Sequence, residues 1–215
     1  MRVLIFGASG SAGASILKVA LRPPNVSDVI AIVRKPLSAS NAKLRVVTHN
    51  DFLDFSPVAS HFAGIDACFF ALGVSSFQVR EESEYRRITR DFAVAAAKTL
   101  KTRSPGACFN FISGASTDPN SKWMWARVKA QAEKDLTEMM DANCFRPGAI
   151  DGERSAAAAW YAPMLPLFKV FAPFRSMYIS GDDLGRGMLQ AAREGMRRRI
   201  LENRDIRDCG DRSGR

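Results

Sequence analysis

Cysteine, histidine and tyrosine are scarce in this 215-residue chain, and long apolar runs are missing. The four cysteines have no CxxC spacing and only two histidines accompany them, so we expect no metal site. Reduced thiols are the default for such a pattern, which predicts a cytoplasmic protein. No apolar run reaches the roughly 18–20 residues that a membrane span needs, so no membrane span is expected. No internal repeat and no low-complexity linker divides the chain.

The composition that remains is that of an ordered protein. Hydrophobic residues make up 47% and charged residues 25%, which suits a folded core and excludes a disordered chain. The length predicts a single domain over residues 1–215. The net charge of +9 is compatible with an anionic ligand. Acidic residues are interleaved among the arginines near the C-terminus and aromatics are missing there, which favours a basic tail over residues 200–215 and makes nucleic-acid binding unlikely.

Apolar runs and helical patterns alternate along the chain. The patterns predict strands over residues 3–6, 29–33, 44–48, 67–72, 108–112 and 143–145. They predict helices over residues 14–22, 56–62, 81–100, 121–140 and 184–199. Such alternation requires right-handed crossovers and therefore predicts an α/β fold, with a doubly wound parallel sheet and helices on both faces.

A glycine-rich turn joins the first strand to the first helix. Its residues are Gly7, Ala8, Ser9, Gly10, Ser11, Ala12 and Gly13. Glycines at this spacing permit a tight turn, close approach of a pyrophosphate to the backbone and close helix–strand packing. The helix N-terminus then presents unpaired N–H groups to phosphates. The turn therefore predicts a dinucleotide site; the alternative is a turn used only for packing.

Two further positions bear on which dinucleotide binds. Arg34 and Lys35 end the second strand, where NAD-preferring proteins place an acid for the ribose 2′-hydroxyl. Because Arg34 can grip a 2′-phosphate, we predict that NADP (NADPH) is preferred over NAD, the alternative being a solvated cation. Asp51 and Phe52 follow the third strand and are also assigned to the cofactor site. Asp51 could accept from the adenine amino group, or it is an ordinary loop residue.

These glycines and four later segments carry a family resemblance over residues 1–190. The later segments are Ala71-Leu72-Gly73, Ile112-Ser113-Gly114, Arg127-Val128-Lys129 and Phe145-Arg146-Pro147-Gly148. The chain resembles an atypical short-chain dehydrogenase/reductase, and more narrowly the small nucleoside-diphosphate-sugar-epimerase-like and NmrA-like proteins. The resemblance implies a Rossmann fold and a Ser/Tyr/Lys catalytic set. It also implies cofactor contacts from Ala71, Leu72, Gly73, Lys129, Pro147, Gly148, Ala149 and Ile150.

The chain departs from this pattern at the catalytic tyrosine. Ser113 and Lys129 fit the family serine and lysine, and Ser113 would orient the substrate oxygen. However, Trp125 stands four residues before Lys129. An indole N–H only donates and does not titrate usefully, so Trp125 cannot replace a phenol in acid–base catalysis. Lys129 keeps a use in binding the ribose hydroxyls, unless it is a solvated helix lysine.

Other side chains could supply the missing proton. Tyr85, on the helix after the fourth strand, and Tyr161, beyond the sixth, are assigned as candidate catalytic residues, with Tyr178 in the same variable region. Each could instead be a packing residue. Asp151 and Glu153 could act as a base, or form a solvated turn.

The apolar, proline-broken segment 155–180 lies within a predicted substrate lid over residues 151–182. It could also form a homodimer or membrane-surface patch, or pack as helices on the sheet edge. We predict an NADP-dependent oxidoreductase or epimerase-like enzyme acting on a small, fairly apolar carbonyl or alcohol. Two alternatives remain, a non-catalytic NADP-binding sensor of the NmrA-like kind and a cofactor-bound isomerase without net redox.

Overall fold

The computed structural model describes residues 1–76, 78, 79, 81–153 and 176–212. The strands are β1 (Arg2–Phe6), β2 (Asp28–Val33), β3 (Leu44–Thr48), β4 (Ala67–Phe70), β5 (Cys108–Ile112), β6 (Asn143–Arg146), β7 (Ala149–Asp151), β8 (Tyr178–Ser180) and β9 (Ile200–Glu202). The α-helices are α1 (Ser11–Leu21), α2 (Glu82–Arg86), α3 (Phe92–Arg103), α4 (Met124–Met139), α5 (Gly181–Arg193) and α6 (Asn203–Arg212). A 3₁₀ helix spans Ser56–Phe62, and a π-helical turn over Arg87–Asp91 joins α2 to α3.

Seven strands form one parallel sheet in the order β3-β2-β1-β4-β5-β6-β9. The first six follow the order of a doubly wound dinucleotide fold, and β9 extends the edge beyond β6. A second, two-stranded parallel sheet pairs β7 with β8. Within the described ranges, no helix is both long enough and apolar enough to cross a membrane.

The sheet is buried on both faces because its central strands are apolar at nearly every position: β1 after Arg2, β2 after Asp28 and the whole of β4. Val3 and Ile5 of β1 point to one face, where α1, α5 and α6 pack. Leu4 and Phe6 point to the other face, against the 3₁₀ helix, α3 and α4. The predicted doubly wound α/β fold is thereby confirmed.

Three segments differ from their predictions. The predicted helix 81–100 is broken by the π turn, and the predicted helix 184–199 begins at Gly181 and ends at Arg193. The predicted basic tail 200–215 is wrong over 200–212, where β9 and α6 form. Leu201 of β9 and Ile206 of α6 are buried in the same core cluster, so apolar burial orders this charged segment. Residues 154–175, the bulk of the predicted lid and dimer segment, lie outside the described ranges.

Candidate cofactor and active site

A cleft of about 290 Å³ opens at the carboxyl ends of β1 and β4. The chain runs from β1 outward to β2 and β3 on one side, while β4 begins the other half of the sheet. Ligands bind at such a switch point in doubly wound sheets. The described residues that line the cleft are Gly10, Ser11, Ala12, Ala71, Leu72, Gly73, Val74, Ser75, Gln78, Tyr85, Thr89, Ile112 and Lys129.

The glycine-rich turn has the geometry that its spacing predicts. Gly7 adopts a left-handed backbone with φ +78°, and an added Cβ there would stand 2.6 Å from the Ala71 carbonyl carbon. An added Cβ at Gly13 would overlap the Gly7 carbonyl oxygen. The Gly10 N–H donates to that same oxygen at 2.9 Å. Side chains at positions 7 and 13 would therefore break the turn that brings α1 to the cleft.

The start of α1 fits a dinucleotide pyrophosphate. Gly10 is its N-cap and no side chain caps the helix, so the first-turn N–H groups and the positive end of the helix dipole face the cleft. The Ser11 hydroxyl is buried without a hydrogen-bond partner among the described residues. An uncapped N-terminus beside an unsatisfied donor suits a bound phosphate.

The positions assigned to the adenosine end differ in their surroundings. Arg34 and Lys35 are exposed just past β2, and neither forms an ion pair within the described ranges. Asp51 is exposed, and its Oδ1 accepts the Leu53 N–H at 2.9 Å in a local turn. Phe52 is only 2% exposed and packs on Phe6, with ring centroids 6.2 Å apart. Phe52 is thus a core residue, and its side chain does not reach the cleft.

Ser113 lies behind the cleft wall. It is 2% exposed and does not line the described part of the cleft. The Thr117 hydroxyl donates to the Gly114 carbonyl at 2.7 Å and lies 3.0 Å from the Ser113 hydroxyl, which therefore donates to Thr117. The predicted role of Ser113 toward a substrate would need this hydrogen bond to open.

Lys129 reaches the cleft from α4. Its ammonium donates to the Ser113 carbonyl oxygen, and burial lowers the pKa of Lys129 to about 8, with Glu133 acting in the opposite sense. Trp125 lies on the same stretch of α4: an added Cβ at Gly114 would stand 3.2 Å from the Lys129 nitrogen and 3.9 Å from the Trp125 ring. The structure therefore brings Trp125 and Lys129 together at Gly114, although only Lys129 lines the cleft.

The three tyrosines have different fates. Tyr85 lines the cleft and is 2% exposed, and burial raises the pKa of its phenol. Tyr178 donates to Asp151 at 2.9 Å between the paired strands β7 and β8. Burial, followed by this carboxylate, raises the pKa of Tyr178 to about 12. Tyr161 lies outside the described residues.

The residues after β6 that were assigned to the cofactor are not among the described residues that line the cleft. An added Cβ at Gly148 would overlap the Met177 carbonyl oxygen, and the Gly148 N–H donates to the Asn203 side chain at 2.7 Å. The Pro147 carbonyl accepts from Ala115 at 2.9 Å. Ala149 and Ile150 begin β7. In the described part of the chain these four residues tie β6 to β8 and α6, and their assignment to the cofactor stays a prediction.

Five cleft residues were not assigned to the site from the sequence: Val74, Ser75, Gln78, Thr89 and Ile112, the last of which entered only as part of a family motif. The first three follow Gly73 beyond β4, and their position next to the switch point is the signal that could have found them. Thr89 follows Tyr85 by four residues, which is one helical turn on the same face. That spacing could have placed Thr89 beside Tyr85.

No protein-family model matches the chain. The chain is 27% identical over 195 residues to "Protein FMP52, mitochondrial" of Eremothecium gossypii, covering 86% of each chain. It is 29% identical over 168 residues to "Protein HTATIP2" of Rattus norvegicus, covering 74% of this chain and 68% of the relative. The FMP52 relatives correct the expectation of a cytoplasmic protein, because FMP52 proteins from several fungi are named mitochondrial.

Solved structures share the fold at low identity. A UDP-glucose 4-epimerase superposes with TM-score 0.74 at 14% identity, covering 100% of this chain and 83% of that one. The dTDP-glucose 4,6-dehydratase DesIV of Streptomyces venezuelae, with NAD bound, gives 0.70 at 17%, covering 98% and 80%. A short chain dehydrogenase family protein of Francisella tularensis gives 0.67 at 15%, covering 93% and 95%.

The fold is therefore that of a single Rossmann-type α/β domain, and it matches the fold of the dehydrogenase and epimerase structures named above. The predicted resemblance to the atypical short-chain dehydrogenase/reductases is confirmed as a resemblance.

Proposed function

We propose that the chain is an NADP-dependent oxidoreductase or epimerase-like enzyme that acts on a small, fairly apolar carbonyl or alcohol. One observation carries the proposal: the glycine-rich turn and Lys129 line the same cleft at the switch point of the sheet. Ala71, Leu72 and Ile112 give this cleft apolar walls. Of the described residues that line it, Lys129 alone carries a charge, which suits a neutral substrate.

The residues present fit a bound dinucleotide. The α1 N-terminus and Ser11 would hold the pyrophosphate, and Arg34 would pair with a 2′-phosphate. A bound nicotinamide cofactor supplies hydride to, or removes it from, a substrate carbon. The names of the FMP52 relatives support a mitochondrial location for this activity.

Groups other than Trp125 would carry out the acid–base catalysis. Lys129 would bind the ribose hydroxyls through its ammonium, and its lowered pKa brings its titration near physiological pH. Tyr85 is the phenol that lines the cleft within the described residues, and it is the candidate that would give a proton to the product oxygen. Ser113 would act only after releasing Thr117.

Deuterium transfer tests this proposal. Wild-type protein is incubated with NADPH carrying deuterium at either face of nicotinamide C4, together with small aldehydes such as hexanal and benzaldehyde. We expect one labelled face to yield deuterated alcohol by mass spectrometry, and the Tyr85→Phe variant to be about 10²–10⁴-fold slower. NADPH binding without transfer to any aldehyde or ketone would reject the enzyme proposal.

A non-catalytic NADP-binding sensor is the second candidate, and Trp125 is the observation that favours it. An indole in place of a phenol removes the usual acid without disturbing the Lys129 contact to Ser113. The same deuterium assay on Trp125→Tyr separates the candidates. Transfer that appears only in this variant supports the sensor, whereas wild-type transfer abolished by Tyr85→Phe supports the enzyme.

A further inference from the structure

The π-helical turn between α2 and α3 interrupts an otherwise continuous helix beside the cleft. It spans Arg87–Asp91, and Thr89 stands at its centre. A π turn shifts the backbone hydrogen bonds out of register, is rare in helices, and occurs often at functional sites. No proline lies in this part of the helix, so the break in the helical hydrogen bonds is not caused by a proline.

Thr89 behaves unlike the other described helical threonines. Thr99, Thr102 and Thr137 each donate to the carbonyl four residues earlier, at 3.1, 3.1 and 2.8 Å. This is the usual way for a helical threonine to satisfy its hydroxyl. Thr89 is 3% exposed, and its hydroxyl has no hydrogen-bond partner among the described residues. The altered register of the π turn accounts for the difference.

An unsatisfied buried hydroxyl lowers stability unless something else binds it. Thr89 lines the cleft together with Tyr85 and Lys129. Burial raises the pKa of Tyr85 and the neighbouring Thr89 hydroxyl acts in the opposite sense, although no hydrogen bond joins the two groups. The hydroxyl is thus placed beside the candidate proton donor and remains available to a ligand.

We propose that Thr89 is a substrate-binding residue of the active site, whose hydroxyl binds the reacting oxygen of a neutral carbonyl or alcohol substrate. The inference rests on the proposed function, because it concerns the substrate of the same cleft. It assigns to Thr89 the task that the sequence analysis gave to Ser113, whose own hydroxyl is occupied by Thr117.

The chemistry of a hydroxyl suits both members of a carbonyl/alcohol pair. A threonine O–H can donate to a carbonyl oxygen, and its lone pairs can accept from an alcohol O–H. A lysine could serve only as a donor and a carboxylate only as an acceptor at neutral pH. Thr89 can therefore hold the substrate oxygen before and after hydride transfer, while the Tyr85 phenol exchanges the proton.

The test uses Thr89→Val, which removes the hydroxyl and keeps the branched shape. Thr99→Val is the matched control, since it removes a satisfied hydroxyl from α3 outside the cleft. The probe is benzamide, a neutral carbonyl compound that resists hydride reduction, titrated by calorimetry into full-length protein saturated with NADPH. Thermal unfolding without any ligand provides a readout that does not depend on activity.

We expect Thr89→Val to bind benzamide about three- to tenfold more weakly, as for one neutral hydrogen bond. Thr89→Ser should restore the affinity. The melting temperature of Thr89→Val without ligand should be unchanged or higher, because an unsatisfied polar group has been removed. Thr99→Val should bind benzamide as wild type does.

Equal benzamide binding by wild type and Thr89→Val, including no binding by either, would overturn the inference. A fall in the melting temperature of Thr89→Val would also overturn it, by showing that the hydroxyl supports the fold. Failure of the proposed function is a separate result: wild-type protein would then bind no NADPH, or would bind it without transferring deuterium, whatever the stability of Thr89→Val.

Discussion

Arg34 lies just past the carboxyl end of β2. Its guanidinium is exposed and forms no ion pair within the described ranges. The strand that precedes it is buried and paired to both β1 and β3, so the backbone at this position is fixed. An arginine so placed can meet a phosphate with two parallel hydrogen bonds, whereas a ribose hydroxyl offers much less to a cation. Arg34 is thus the residue that we propose sets cofactor preference.

Arg34→Ala should remove the preference for NADPH over NADH. One charge-assisted hydrogen bond contributes about 1.5–3 kcal/mol, so NADPH affinity should fall roughly tenfold to hundredfold while NADH affinity hardly changes. Lys35→Ala is the matched control, because it removes an adjacent exposed cation. Fluorescence titration of both variants with both dinucleotides measures the effect. A preference that disappears in Lys35→Ala and survives in Arg34→Ala would show that Lys35, and not Arg34, binds the 2′-phosphate.

Helix α4 is the element that carries the proposed chemistry to the cleft. Trp125, Lys129 and Glu133 follow one another at four-residue spacing and therefore share one face. Glu133 is 5% exposed and forms two hydrogen bonds with Arg146 of β6, at 2.9 and 2.7 Å. This buried ion pair fixes α4 on the sheet and leaves Lys129 to bond the Ser113 carbonyl.

The lowered pKa of Lys129 predicts a pH dependence of stability. Its ammonium loses a proton at about pH 8 in the folded chain and near 10.5 when unfolded. Between these pH values the unfolded chain binds more protons than the folded chain. The free-energy cost of burying the Lys129 ammonium is therefore complete below pH 8 and is lost as the pH rises through this range. Stability relative to Lys129→Met should therefore rise by up to about 3 kcal/mol between pH 8 and 10.5.

Urea unfolding of wild type and Lys129→Met at pH 7.5 and pH 10 measures that difference. Lys98→Met changes an exposed lysine on α3 and keeps Lys129, so the stability difference between wild type and Lys98→Met should not change with pH. If the stability of Lys129→Met also changes with pH in parallel with wild type, then the Lys129 ammonium is not desolvated in the folded protein.

At the scale of the whole molecule, sequence reasoning succeeded where a strand or turn is dictated locally. The apolar run of β1 and the glycines at positions 7 and 13 admit few structures, so the sheet and its switch point could be predicted. The edge strand β9 was missed because Leu201 is its single buried residue and charged residues surround it. The π turn was missed because the helical pattern from Tyr85 to Phe92 continues across it.

Site residues were predicted less well than the fold because tertiary neighbours decide them. Ser113 and Gly148 match the family motifs, yet Thr117 engages the first and Met177 covers the second. Thr89 carries no motif, and only the altered backbone around it reveals an unsatisfied hydroxyl. The cysteine pattern indicates only that the thiols are reduced, and reduced thiols do not by themselves identify a compartment. The cytoplasmic prediction that rested on this pattern was therefore wrong.

The central claim is that the cleft at the ends of β1 and β4 binds NADP through the glycine-rich turn. Calorimetric titration of NADPH into wild type, Gly10→Val and Gly106→Val tests this most directly. An added Cβ at Gly106 meets no atom within 4 Å, whereas one at Gly10 stands 3.3 Å from the Gly7 carbonyl oxygen, on the approach to the cleft. We predict one NADPH bound by wild type and Gly106→Val, and none by a Gly10→Val variant whose circular dichroism stays native. Undiminished binding by folded Gly10→Val, or no binding by wild type, would contradict the account.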